Sequence, residues 1–312
     1  MATQWDLSHI VLWQIAYGTL MFLTVTGNLL ILIAIATTTR LRVKANVYIA
    51  ALSVADFIVG LYRVGTLLWL NEATHDVFAD NYWLCQIYAT VAFVACEASI
   101  VILLVIAVDR FVYIIYPFLY ERVVTPKRMI GFVLSMFPFF IVHASLLRFF
   151  ETGPDTKCGV DVVFPKTPLS TFVHLVLYSA ISLTNFTLYF LIFRKAYQQA
   201  KAINSMIVST QLSRNQEAEK RRISHNVRLV KRMALVWGIF CILWTPYFVT
   251  SAFRFQNFIP GDVKLSFAIL GPFNSAFNVG VYAYQDNEFR LAFKRMLCKR
   301  HCKHRISSID TA

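Results

Sequence analysis

Ala107-Val108-Asp109-Arg110-Phe111 closes a long apolar run, Ile100 to Val108, and is followed by Tyr113, Tyr116 and Pro117. A charged pair at the foot of an apolar helix is costly unless it is partnered or reaches an aqueous edge, so Asp109 and Arg110 are functional candidates. The alternative is that they only mark a helix end. The rest of the chain decides between the two. Of its 312 residues 57% are hydrophobic and only 15% charged, with a mean hydropathy of +0.57. A soluble protein of this size could not cover so much apolar surface. Several runs are long enough to cross a hydrocarbon layer of about 30 Å, which takes about 20 helical residues. The 27 Phe and 14 Tyr suit lipid-facing and interfacial positions.

Seven runs emerge, near Ile10–Thr37, Asn46–Leu70, Tyr82–Tyr116, Met129–Phe149, Leu169–Tyr197, Val227–Phe253 and Lys264–Tyr284. The first lacks a cleavage site and reads as an uncleaved signal anchor. The expected fold class is an all-α membrane protein: a seven-helix bundle over residues 10–286, a tail at 1–9, and a terminal segment at 287–312. In that segment Phe289, Phe293, Met296 and Leu297 share one face and Arg290, Lys294 and Arg295 the other. This describes a short amphipathic eighth helix at the cytosolic interface.

The net charge of +13 is unevenly placed. Arg40, Arg42 and Lys44 follow the first run, and Arg122, Lys127 and Arg128 follow the third. A third group lies between the fifth and sixth runs and a fourth in the tail. The alternate loops carry Glu72, Asp76 and Asp80, then Glu151, Asp155 and Asp161, then Asp262. Positive-inside logic puts the N-terminus outside and the C-terminus in the cytosol of a plasma-membrane protein in contact with lipids. Charge that flanks membrane spans argues against a nucleic-acid partner. Of six cysteines, Cys85 and Cys158 fall on the oxidising side, Cys96 and Cys241 inside spans, and Cys298 and Cys302 where S-palmitoylation is expected. The acceptor motif Asn185-Phe186-Thr187 falls mid-membrane, out of reach of glycosylation.

Asp109-Arg110-Phe111 resembles the Asp-Arg-Tyr motif of rhodopsin-like (class A) G-protein-coupled receptors. Further matches are Gly27-Asn28, Leu52-Ser53-Val54-Ala55-Asp56, Cys85 placed 25 residues before Arg110, Phe240 with Trp244-Thr245-Pro246, and Asn278-Val279-Gly280-Val281-Tyr282. The resemblance covers nearly the whole chain, and its strength lies in motif order and membrane depth. It implies that Arg110 meets a heterotrimeric G protein and that Phe240, Trp244 and Pro246 form an activation switch. It also implies that Tyr189 and Tyr282 approach each other and that Cys85 pairs with Cys158. No cofactor is required, but Asp56, Ser99, Asn274, Ser275 and Asn278 resemble the family's site for an allosteric sodium ion, a hard cation suited to oxygen ligands. There are departures. Val279 replaces a motif proline, and Gly280 is left to supply the bend. Asn226 stands where many members carry an acid that locks the motif Arg, which implies high basal activity.

The expected ligand site comprises Arg63, Ala92, Cys96, Glu97, His174 and Trp244. In amine-binding members an Asp stands seven residues after the Cys85 position. Here that residue is Ala92, which disfavours a biogenic amine. Six residues before Asn278 stands Pro272 rather than the retinal lysine of opsins. Arg63, about two turns above Asp56, has two candidate partners, a ligand carboxylate or an acid of the protein. The favoured ligand is a small peptide, with a lipid or nucleoside as alternative. His143 and His174 read as hydrogen-bonded core residues. A transporter or channel is the competing class, but no paired halves are found. Nor is there a His-Glu-x-x-His or Gly-x-Ser-x-Gly motif to support an enzyme.

Overall fold

A hydrocarbon layer offers no partner for backbone N–H and C=O groups, so each apolar run must satisfy them within a helix. The computed structural model describes residues 7–71, 73–151, 167–207, 214–252 and 261–297. These form α1 (Leu7–Thr37), α2 (Lys44–Leu70), α3 (His75–Ala79), α4 (Tyr82–Ile115), α5 (Pro117–Val123), α6 (Pro126–Glu151), α7 (Pro168–Ile207), α8 (Arg214–Ala252), α9 (Gly261–Gln285) and α10 (Asn287–Leu297). Six of them, α1, α2, α4, α6, α7 and α8, are long and apolar enough to cross a membrane, and α9 completes a bundle of seven.

α4 is the hub, in contact with α2, α3, α5, α6, α7 and α8. Contacts of α1 with α2 and α9, and of α8 with α7 and α9, close the ring. The bundle is inside out relative to a soluble protein. Phe22, Leu134, Phe186 and Ile242 point outward, while Asn28, Asp56, Ser99 and Asn278 are buried. Asn81 starts α4 by accepting from the Leu84 N–H at 2.9 Å, a side-chain cap for an unpaired helix N–H. Gly27 lets α9 approach α1: a Cβ there would lie 2.5 Å from Cγ2 of Val279, the residue at the missing motif proline. α9 has its proline elsewhere, at Pro272.

The expected ends shift. α1 starts at Leu7, three residues before the boundary read at 10. α7 and α8 run past the apolar segments, to Ile207 and back to Arg214. The short helices α3 and α5 are additions to the sequence reading. Asn185 is buried in α7, its amide donating to the Ile181 carbonyl at 3.1 Å. α10 presents Phe289 and Phe293 inward and Arg290, Lys294 and Arg295 outward. Asp286 caps it, accepting from the Glu288 N–H at 2.9 Å. Cys85 is disulfide-bonded and Cys96 and Cys241 are free thiols. Cys158, Cys298 and Cys302 lie outside the described residues.

Candidate functional site

A cavity of about 320 Å³ opens among α1, α2, α4, α6, α7, α8 and α9, and its wall brings together Arg63, Ala92, Cys96, Glu97, His174 and Trp244. Most of the remaining wall is aromatic or aliphatic, including Tyr17, Tyr62, Phe93, Phe139, Phe240 and Phe248. Such an apolar chamber with a few convergent polar groups is the usual form of a small-ligand site. Its acid is Glu97, whose Oε1 lies 2.8 Å from Nδ1 of His143. The other oxygen, Oε2, is buried and unpartnered. His143 stacks on Phe139, with ring centroids 6.2 Å apart and planes 3° from parallel. His174 accepts or donates at the Ser170 carbonyl through Nδ1, at 2.7 Å, and its Nε2 is unpartnered. Both histidines are thus hydrogen-bonded, as expected, but they also face the cavity. The sequence reading did not pair Glu97 with His143, because they stand 46 positions apart on two helices whose facing sides no local pattern reveals.

Trp244 lines the cavity and begins a row of aromatic rings along α8. It lies 5.9 Å from Phe240, which stacks 5.1 Å from Trp237. Pro246 sits inside α8 two residues above, so α8 lacks a backbone bond beside this stack. Gly271 of α9 seats the indole: a Cβ there would fall 2.8 Å from two of its ring carbons. Gly271→Ala is therefore expected to push Trp244 from its seat. Overpacking costs about 1–3 kcal/mol, so agonist potency should fall on the order of ten-fold. The same change should matter much less beside Trp244→Phe. Nucleotide exchange on all three variants measures both effects.

Below the switch, Asp56 is fully buried. Its Oδ1 accepts from Ser99 at 3.0 Å and Ser275 at 2.7 Å, and its Oδ2 from the Asn278 amide at 2.6 Å. Asn278 thus reaches Asp56 without the motif proline. The buried Oδ1 of Asn274 is unpartnered. The Asn28 amide ties α1 to α9 by donating to the Ser275 carbonyl at 3.0 Å.

Near the C-terminal end of α4 Arg110 and Asp109 are both buried and paired side by side. The guanidinium also lies over the Tyr113 ring, 5.2 Å from its centroid. Phe111 instead packs edge-on against Tyr116, at 6.2 Å. Asp109 has a second partner that the sequence did not suggest: the Tyr120 hydroxyl of α5 donates to its Oδ1 at 3.1 Å. Burial, and then the Asp109 charge, push this phenol above its ordinary range, so it remains a donor. Lys44 braces α5, bonding Glu121 at 2.9 Å and lying over the Tyr120 ring. Tyr189 and Tyr282 are both buried in the core cluster beneath the switch. The side chain of Asn226 lies outside those described.

Residues 27–282 match the 7 transmembrane receptor (rhodopsin family). The chain belongs to this family. The receptor is 30% identical to a histamine H2 receptor of Cavia porcellus over 91% of its own length and 79% of the relative's. It is 26% identical to human 5-hydroxytryptamine receptor 4, covering 94% and 81% of the two chains. It is also 26% identical to the bovine adenosine receptor A2b, covering 89% of each. These relatives are receptors, not enzymes, and this chain is likewise a multi-pass membrane receptor and not an enzyme.

The relatives correct one expectation. Ala92 was read as disfavouring an amine, yet histamine and 5-hydroxytryptamine receptors are among the proteins this receptor resembles. The inference failed because it tested one position. A counter-ion needs only to face the cavity, and Glu97, five residues further along α4, does so.

Proposed function

We propose that this receptor lies in the plasma membrane with its N-terminus outside and couples a small cationic amine in the cavity to a heterotrimeric G protein. The observation that carries the reading is Glu97: a carboxylate in an aromatic chamber, with one oxygen held by His143 and the other unpartnered. Charge-assisted hydrogen bonds from an ammonium would complete it. Acidic loops on the same side would steer cations toward the entrance. The peptide favoured by sequence ranks lower, because a chamber of about 320 Å³ suits a small molecule better. The disulfide of Cys85 is assigned to Cys158, and Cys298 and Cys302 are assigned as acylation sites anchoring the end of α10.

Sodium belongs to the same proposal. The Asp56 carboxylate, the Ser99 and Ser275 hydroxyls and the unpartnered Asn274 oxygen form a compact set of oxygen donors, which fits a hard cation. A bound ion would supply the counter-charge that buried Asp56 lacks.

The test is Glu97→Gln in membranes carrying the full chain, with histamine and 5-hydroxytryptamine as probes. Losing a charged hydrogen bond costs about 1.5–3 kcal/mol, so potency should drop roughly ten- to hundred-fold at equal surface expression. Equal potency on both forms would refute the reading. A nucleoside is the second reading, favoured by the likeness to adenosine receptor A2b. An adenosine response insensitive to Glu97→Gln would establish it instead.

A further inference from the structure

Arg63 carries a charge that the amine reading leaves unused. It stands on α2, is 2% exposed, and forms part of the cavity wall. Its guanidinium carbon lies 5.0 Å from the Tyr17 ring centroid and 5.4 Å from that of Tyr62. Its hydrogen-bond partners are phenols, the Tyr62 hydroxyl at 3.4 Å and that of Tyr17, and its Nε is buried and unpartnered. Among the described residues no carboxylate pairs with it. Of the two partners open to Arg63, this favours a ligand over an acid of the protein.

Aromatic faces hold a cation but do not accept its in-plane N–H groups. A guanidinium has five donors in a rigid fork and stays charged. The fork matches a carboxylate in bidentate fashion. One guanidinium balances a carboxylate's single charge but not a phosphate's two, which makes carboxylate the better match. Arg63 and Glu97 line the same cavity, with Cys96 beside Glu97 on α4, so the two charges belong to one chamber. Phe93, Trp244 and Phe248 of the same wall offer an apolar surface to the side chain of such a ligand.

We propose that the ligand is a small zwitterion of the amino-acid class, its carboxylate held by Arg63 and its ammonium by Glu97. This rests on the assignment of Glu97 above and adds the second pole.

Three matched pairs test it on the full receptor in membranes: histamine with histidine, tryptamine with tryptophan, and tyramine with tyrosine. Each pair differs by one carboxylate. In at least one pair the amino acid should be on the order of ten-fold more potent in driving nucleotide exchange. Arg63→Gln should erase that advantage by lowering the amino acid's potency far more than the amine's, whereas Glu97→Gln should weaken both members. Arg63→Lys, a point charge without the fork, should keep part of the advantage. Should Arg63→Gln fail to reach the surface, thermal stabilisation of the wild-type receptor by each pair gives the same ranking. Amines that act through Glu97 and outperform their amino acids in every pair would overturn the second pole and leave the amine reading standing. Silence from all six compounds would overturn both.

Discussion

Replacing Arg110 by alanine is expected to reduce agonist-driven nucleotide exchange to background while ligand affinity stays within a few-fold of wild type. The separation follows from distance along α4. Cys96 lines the cavity and Arg110 lies 14 residues on, which is about 20 Å. The guanidinium is held only from its own helix, by Asp109 and the Tyr113 ring, among the described residues. Freed from Asp109, its five donors could meet carbonyls at the end of a partner helix. Asp109 would keep the Tyr120 hydroxyl, so its charge is not stranded when the arginine leaves. The same bond protects the Arg110→Ala variant against misfolding, since removing one partner of a buried pair otherwise costs about 3–5 kcal/mol. Surface labelling and radioligand binding, beside exchange assays on added G proteins, test the three parts separately. Undiminished exchange would show that Arg110 has no role in coupling.

Sodium should weaken agonist binding, and Asp56→Asn should abolish the effect. A ligand shifts a conformational equilibrium only by its differential affinity for the two states. An ion that prefers the resting arrangement around Asp56 must therefore oppose agonist. Typical coupling between two sites is about 1–3 kcal/mol, or 5- to 150-fold in affinity. Agonist binding in sodium chloride and in a bulky organic cation at equal ionic strength separates occupancy from screening. Equal affinities would leave Asp56 as a hydrogen-bonding hub for Ser99, Ser275 and Asn278.

The bundle was largely legible because lipid imposes one rule on every span: apolar outside, hydrogen-bonded within. That rule locates Tyr82–Ile115 and its neighbours within a few residues. It says nothing where helices leave the bilayer, so the reach of α7 to Ile207 and the presence of α5 had to come from structure. Clusters were legible where each member sits in its own motif, as Asp56 and Asn278 do. They were illegible where a contact joins residues with no motif. Glu97 with His143, and Asp109 with Tyr120, are of this kind. The amine exclusion failed for a related reason: a template checks a place in the chain, whereas electrostatics checks a place in space.

Pro272 changes the mechanics of α9. Seven residues separate it from Val279, where the motif would put the proline, and ten separate it from Tyr282. At 1.5 Å per residue the arm from pivot to Tyr282 is about 15 Å, against about 4.5 Å for a pivot at 279. A swing of about ten degrees at Pro272 carries the phenol about 2.6 Å, where the shorter arm would give about 0.8 Å. The pivot also borders the cavity, on the turn after Gly271, so a ligand can press on it directly. A bend at Pro272 would make α9 a long lever with its fulcrum beside the cavity, trading force at one end for travel at the other.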